Sequence, residues 1–219
     1  MQKSKLLKKG ERLDDLELNN LMIIQNPSEY LFTSDSVALA NFAKCKKNDV
    51  VVELCSGSGV IGILLNEKCH PKIVHMVELQ TILADMCKRS IEYNDLQDSI
   101  VLHNRRLQGV EQELGYNIAD VVVVNPPYKN SNNKIGEKAS INIAKHEIEV
   151  TLEEVVSTSA KLLKFGGTLF MVNKTERLTD IICTMRQYNI EPKIIKFLSN
   201  SVLVSGVSGG KSGVKVIKE

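Results

Sequence analysis

Residues 120–130 read DVVVVNPPYKN, and the four that follow the valine run, Asn125, Pro126, Pro127 and Tyr128, are suited to chemistry rather than to a turn. Proline disfavours helix at the residue before it and carries no N–H, so Asn125 must leave the run extended. The carbonyls of Asn125 and Pro126 then become aimed acceptors. An exocyclic NH2 group could donate one hydrogen to the Asn125 side-chain oxygen and the other to the Pro126 carbonyl. Tyr128 offers a face on which a planar ring can stack, worth about 1–3 kcal/mol per base. The alternative is a structural Pro-Pro turn, which the strand position and the glycines upstream disfavour.

A second group of residues points to a nucleoside cofactor. ELCSGSG places Glu53, Cys55, Ser56, Gly57 and Gly59 between an apolar run and a helical stretch. Glycines there let the backbone pass close beneath a ligand, and the helix terminus offers free N–H groups. Glu78 ends the next apolar run about twenty residues on, well placed to accept both hydroxyls of a ribose. Turn and acid alone fit a dinucleotide or S-adenosylmethionine equally; the amine clamp favours the methyl donor.

The elements that must position these groups alternate from residue 48 onward. DVVVEL (49–54), KIVHMVEL (72–79), SIVLH (99–103), the valine run and GTLFMVNK (167–174) read as strands. Between them lie the helical stretches VIGILLNEK, TILADMCKRSIEYNDL and 148–164, the last ended by Gly166-Gly167 as a stop signal. Another helix over 176–189 is followed by KIIKFL and SVLVSGV with no helix between them. Alternation predicts an α/β domain with a mostly parallel sheet and helices on both faces, and the last two strands an antiparallel hairpin on one edge, seven strands in all. Residues 1–47 do not follow the alternation. LMII (21–24) fits a short strand and SDSVALANFAK a capped helix, an extension packed on the domain of residues 48–219.

The composition is that of an ordinary soluble protein, 43% apolar and 25% charged over 219 residues. The basic start MQKSKLLKKG has no apolar core, and GVIGILL is too short to span a bilayer, so no secretory signal or membrane segment is expected. Five cysteines without a CxxC pair argue against a disulfide framework and a metal site, and for a reduced, cytoplasmic protein. The net charge is only +2 but uneven. Lysines gather near the start, after the prolines (Lys129, Lys134, Lys138, Lys145) and at the end, where they either hold a polyanion or keep the surface soluble. GVSGGKSG is not a phosphate loop: Ser205 stands where the first glycine is needed, and no helix has room to follow.

NPPY after a fourth strand, with ELCSGSG and Glu78 before it, resembles the class I SAM-dependent amino-methyltransferases. GERLDDL, IIQNP, FTSDSVALANFA, IAKHE and SGGKSG follow the order of the bacterial tRNA1(Val) adenine-N6 methyltransferase family. The resemblance runs from about residue 10 to the C-terminus. It implies a Rossmann-like fold, S-adenosyl-L-methionine as cofactor, and methyl transfer to adenine N6 in tRNA. It also implies RNA contacts from Lys129, Lys145, His146 and Lys211. Two positions depart from the pattern: Cys55 replaces the first glycine of the turn, and Arg106 falls near where an acid would bind the cofactor's adenine amine. Asn104 or a backbone group is the expected replacement. The rivals are a glutamine-N5 methyltransferase of release factors, a guanine-N2 methyltransferase of ribosomal RNA, and a non-catalytic RNA-binding protein with a decayed cofactor site. A sizeable N-terminal helical domain would be expected of the first and phenylalanine at Tyr128 of the second.

Overall fold

Four valines in a row can be buried only if both faces of their strand are covered. In the computed structural model, which describes residues 6–127 and 150–217, they are. Val121 and Val123 face one apolar core, and Val122 and Val124 face another.

The strands are β1 (Arg12–Asp15), β2 (Met22–Gln25), β3 (Val50–Leu54), β4 (Ile73–Glu78) and β5 (Ile100–Asn104). They continue with β6 (Ala119–Val124), β7 (Leu163–Lys174), β8 (Ile190–Phe197), β9 (Ser201–Ser208) and β10 (Lys215–Ile217). The helices are α1 (Ser34–Phe42), α2 (Val60–Cys69), α3 (Thr81–Tyr93), α4 (Glu111–Leu114), α5 (Leu152–Leu162) and α6 (Leu178–Gln187), the last preceded by a 3-10 turn at Thr175–Arg177. Eight strands form the main sheet in the order β10-β8-β9-β7-β6-β3-β4-β5. Strands β7, β6, β3, β4 and β5 run parallel, and β9 is antiparallel to both β7 and β8.

The expected parallel sheet and closing hairpin are therefore present, with one strand more than the seven predicted. The eighth, β10, is three residues paired parallel to β8 at the sheet's edge, too short and too exposed to carry a sequence pattern. Each face carries its own helices. Leu39 of α1, Ile61 of α2 and Cys87 of α3 pack with Val51 and Val123. Val155 and Val156 of α5 and Ile181 and Met185 of α6 pack with Val52 and Val122.

Gly166 and Gly167 do not stop a helix as predicted. α5 ends at Leu162, with Leu163 already extended, and both glycines lie inside β7. Their role is at the β6 pairing, where the register shifts between Ala119 and Val121. A Cβ on Gly167 would stand 3.0 Å from the Ala119 carbonyl and 3.1 Å from that of Asp120.

Ahead of β3, strands β1 and β2 form a two-stranded antiparallel ribbon. Ile23 and Leu21 join the core that holds Val51 and Ile61, while Ile24 packs with Leu83 and Met86 of α3. Arg89 of α3 fastens the chain's beginning, donating to Glu11 at 2.6 and 2.7 Å and to the Leu6 carbonyl at 2.6 Å. The side chain of Gln25, 1% exposed, donates to Ser58 Oγ at 2.6 Å and accepts from the Phe32 N–H at 3.1 Å. That one buried amide joins the ribbon, the segment leading to α1 and the turn after β3.

The cysteines correct a second expectation. Cys45, just after α1, and Cys69, at the end of α2, form a disulfide with Cα atoms 5.7 Å apart. Cys55, Cys87 and Cys183 are free thiols. Among the described residues no helix is long and apolar enough to cross a membrane, and no group of three His, Cys, Asp or Glu side chains is arranged to hold a metal ion.

Candidate functional site

Strands β6, β3, β4 and β5 end side by side at one edge of the sheet, so the residues just beyond them stand in that order: Asn125, the Cys55–Gly59 turn, Glu78 and the loop after Asn104. A cavity of about 230 Å³ opens there, roomy enough for a nucleoside-sized group. Cys55, Ser56, Gly57, Glu78, Asn125 and Pro127 line it.

The turn's shape follows from its backbone. Gly57 and Gly59 take positive φ of 56° and 92°, and a Cβ on Gly59 would sit 2.6 Å from Cys87 Sγ. Cys55 adopts the left-handed conformation too, at φ 58°. The cysteine thus holds the glycine geometry, at a cost of about 1–2 kcal/mol. Glu78 ties the turn to the end of β4: one carboxylate oxygen accepts the Gly57 N–H and the other the Gln80 N–H, both at 2.7 Å. Glu78 also lines the cavity, where a ribose would offer two hydroxyls.

Glu53 lies beneath the turn rather than in the cavity wall. It is 1% exposed, and one oxygen accepts the Gly62 N–H at 2.9 Å, satisfying a free donor in the first turn of α2. Among the described residues its other oxygen and Ser56 Oγ, both buried, have no hydrogen-bond partner. Burial pushes the Glu53 carboxyl up to about 8 and raises that of Glu78 as well. Two carboxyls whose ionisation burial disfavours, one in the cavity wall and one beneath it, favour a cationic ligand over an anionic one, because opposite charge offsets the cost of ionising them.

Asn125, half-buried, donates its side-chain N–H to Ser36 Oγ at 2.9 Å. The contact joins the end of β6 to the first turn of α1, 89 residues apart. It turns the carbonyl end of the Asn125 amide away from α1. Pro126 is buried and Pro127 exposed at the cavity wall.

Five predicted residues lie apart from the cavity lining: Glu53 and Pro126, placed above, and Gly59, Asn104 and Lys211. Gly59 caps α2 behind the turn. Asn104 donates to the Glu78 and Leu79 carbonyls at 2.9 and 3.1 Å and so braces the end of β4 from outside. Lys211 lies on the connection from β9 to β10. Because β9 runs against the parallel strands, that connection is at the sheet's opposite edge, beside the start of β8. Tyr128, Lys129, Lys145 and His146 lie outside the described residues.

Sequence reading missed other lining residues: Tyr30, Phe32 and Ser36 from the segment before and into α1, and Gln108 and Glu154 from the far side. FTSDS carried a family resemblance but no role. Thr151-x-x-Glu154 carried the signature of a helix cap, and the capping box is present at the start of α5.

Comparison with known proteins follows the same lines. The family model described as "Methyltransferase small domain" matches residues 33–188. The tRNA1(Val) (adenine(37)-N6)-methyltransferase of Porphyromonas gingivalis is 24% identical over 132 residues, 59% of this chain and 51% of that protein. The Pseudoalteromonas translucida protein of the same name is 23% identical over 150 residues, 68% of this chain and 62% of that protein. The chain thus spans about half the length of the first of these relatives and under two thirds of the second. Among solved structures, M. jannaschii TYW2 in complex with AdoMet superposes with a TM-score of 0.64 at 13% identity, covering 92% of this chain and 86% of that one. An Agrobacterium tumefaciens protein described as a predicted O-methyltransferase gives 0.66 at 16% identity, covering 84% and 85%. At such identities the structures share the fold.

Proposed function

Because this chain belongs to the methyltransferase small domain family, with its Rossmann-like fold, we propose that it methylates the exocyclic N6 of an adenine in tRNA, in the anticodon loop of a valine tRNA. The observation that carries the reading is Asn125, an amide fixed by Ser36 in the wall of the cavity that also holds Glu78 and the glycine turn. The distant relatives named for tRNA1(Val) adenine methylation support the choice of base and RNA.

The cofactor is S-adenosyl-L-methionine, which supplies an already activated methyl group on a cationic sulfur. The residues present fit it: the Ser56 hydroxyl, without a partner among the described residues, lines the cavity, and two carboxyls raised by burial lie in its wall and beneath it. The Cys55–Gly57 turn and Glu78 would hold it, with Glu53 and Gly59 keeping the turn in shape from behind.

The protein's remaining task is to present the amine. An adenine amine is a poor nucleophile because its lone pair is delocalised into the ring. Asn125 Oδ1 and the Pro126 carbonyl accept its two hydrogens, which draws the nitrogen toward tetrahedral geometry and frees the lone pair. Positive charge grows on that nitrogen during transfer, and the same two acceptors stabilise it. In-line alignment at about 3–3.5 Å then suffices, and the proton is shed to water without a dedicated base. The base must leave any stack, which costs least in a single-stranded loop. Tyr128 is assigned to stacking, and Lys129, Lys145 and His146 to holding the RNA.

The test is methyl transfer from labelled SAM to unmodified tRNA, ribosomal RNA and release factor, offered separately. N6-methyladenosine released from tRNA is the expected product, and label in release factor or ribosomal RNA instead would replace the substrate. Asn125→Ala is expected to abolish turnover while SAM affinity stays within a few-fold; normal turnover by that variant would sink the amine clamp.

A further inference from the structure

The loop after β5 raises a question of its own, since no acid stands there to meet the amine of the cofactor's adenine. Its polar side chains are mostly engaged elsewhere. Asn104 braces β4, and Arg105 donates to Glu113 at 2.5 Å. Arg105 and Arg106 also line the cavity, but a guanidinium has no acceptor to offer an amine. Gln108 lines it too, and its side-chain N–H donates to Glu154 Oε1 at 3.0 Å. Glu154 lines the same cavity from the first turn of α5.

The carboxylate of Glu154 is fixed independently of any ligand. Its other oxygen accepts the Thr151 N–H at 2.8 Å and lies 3.0 Å from Thr151 Oγ1, while Thr151 Oγ1 accepts the Glu154 N–H at 3.1 Å. An amide whose NH2 end is bound to an anchored carboxylate cannot turn over without setting its own oxygen against that charge. The Gln108 carbonyl is therefore committed to the side away from Glu154. Along the sheet edge this loop lies beyond Glu78, on the side opposite Asn125. With a ribose at Glu78 and the reacting end toward Asn125, the base falls beside Gln108.

We propose that Gln108, oriented by Glu154, accepts a hydrogen from the 6-amino group of the cofactor's adenine and makes the site selective for an amino over a keto purine. The proposal rests on the methyltransferase reading and is independent of the RNA substrate. It assigns the discrimination to an amide held from α5, 46 residues away, in place of an acid on the β5 loop.

The measurement is calorimetric binding of S-adenosylhomocysteine and its deaminated analogue S-inosylhomocysteine. The wild-type protein is expected to prefer the adenosyl form by about tenfold or more, since a keto group would face the Gln108 carbonyl. Gln108→Ala, and Gln108→Met as a near-isosteric second variant, are expected to weaken adenosyl binding by about three- to tenfold and bring the preference close to one. Retention of the wild-type preference by either folded variant, or its absence in the wild type, would overturn the proposal with the cofactor assignment intact. A wild-type protein that bound neither compound would overturn both.

Discussion

Replacing Ser36 with alanine removes the oxygen that accepts the Asn125 amide N–H at 2.9 Å and leaves every other atom of the clamp in place. Ser36 is 3% exposed, so water does not readily take over. A neutral hydrogen bond of this kind is worth about 0.5–1.5 kcal/mol net. If that energy separates the productive amide orientation from the flipped one, its loss lowers kcat by about two- to tenfold. The same energy spread over a chain of this size lowers Tm by no more than about 2–5 °C. Single-turnover methylation under saturating RNA and cofactor reads the first quantity, calorimetric titration of S-adenosylhomocysteine the cofactor affinity, and a thermal melt the stability. The expected pattern is a loss in kcat, cofactor affinity within about twofold, a small shift in Tm, and recovery in Ser36→Thr, which keeps a hydroxyl. Full kcat in Ser36→Ala would refute the positioning role. So would a fall in kcat matched by an equal fall in cofactor affinity, because the serine would then act through the cavity wall and not through Asn125.

Other consequences are separable from catalysis. Glu53 holds its proton up to about pH 8 in the folded protein, against an ordinary value of 4.5. Between those values the folded state binds a proton that the unfolded state has released, so stability falls as pH rises. Glu53→Gln is expected to leave Tm almost unchanged at pH 4 and, at pH 7, to stabilise the ligand-free protein by an amount on the order of 3 kcal/mol; parallel pH–stability curves for the two proteins would contradict this. Gly59→Ala meets both a positive φ of 92° and a Cβ contact of 2.6 Å with Cys87 Sγ. It is expected to lose at least about 2 kcal/mol, read as a fall in the urea midpoint, and Gly57→Ala, whose Cβ would meet nothing closer than 4.0 Å, less. Thiol titration of the denatured, unreduced protein should count Cys55, Cys87 and Cys183 and leave Cys45 and Cys69 silent. Reduction of that 24-residue link should then lower stability by about 3 kcal/mol, and five titrating thiols would deny the disulfide.

The parallel sheet was legible because its strands are apolar runs separated by helical spacing, a pattern that depends on local burial alone. The ribbon of β1 and β2 was half legible. LMII marks a strand and Asn19-Asn20 a turn, both asparagines taking positive φ (46° and 59°), but RLDD has only Leu13 to bury and does not read as a strand. What fixes β2 is distant: the Ile24 N–H donates to Ser90 Oγ, and Asn94 both accepts the Met22 N–H and donates to the Met22 carbonyl, each at 2.7–2.9 Å. Side chains on α3 and at its C-terminal cap thus bond the edge of a strand about 70 residues earlier, and no window of sequence contains both. The Cys45–Cys69 pair belongs to the same class, set by how α1 lies against α2 and not by a cysteine motif.

The candidate site divides along the same line. Asn125, Glu78 and the glycine turn sit at strand ends, where chain direction alone decides which edge they reach, and all three border one cavity. Ser36 and Glu154 come from helices that meet this edge only after folding, 89 and 46 residues from the side chains they hold. Lys211 fails for the converse reason: a basic, glycine-rich loop looks alike at either edge, and only the antiparallel course of β9 sends it to the far one. The two departures from the family pattern can be weighed on this basis. Cys55 takes up the left-handed backbone that glycine would have supplied, and the missing acid of the β5 loop has a carboxylate opposite it on α5. A local motif that lacks a residue is evidence of decay only when no other element supplies the same chemistry to the same cavity. Gln108, held by Glu154, is the group proposed to take the acid's place, and Cys55 keeps the turn's backbone, so neither departure by itself marks the cofactor site as decayed.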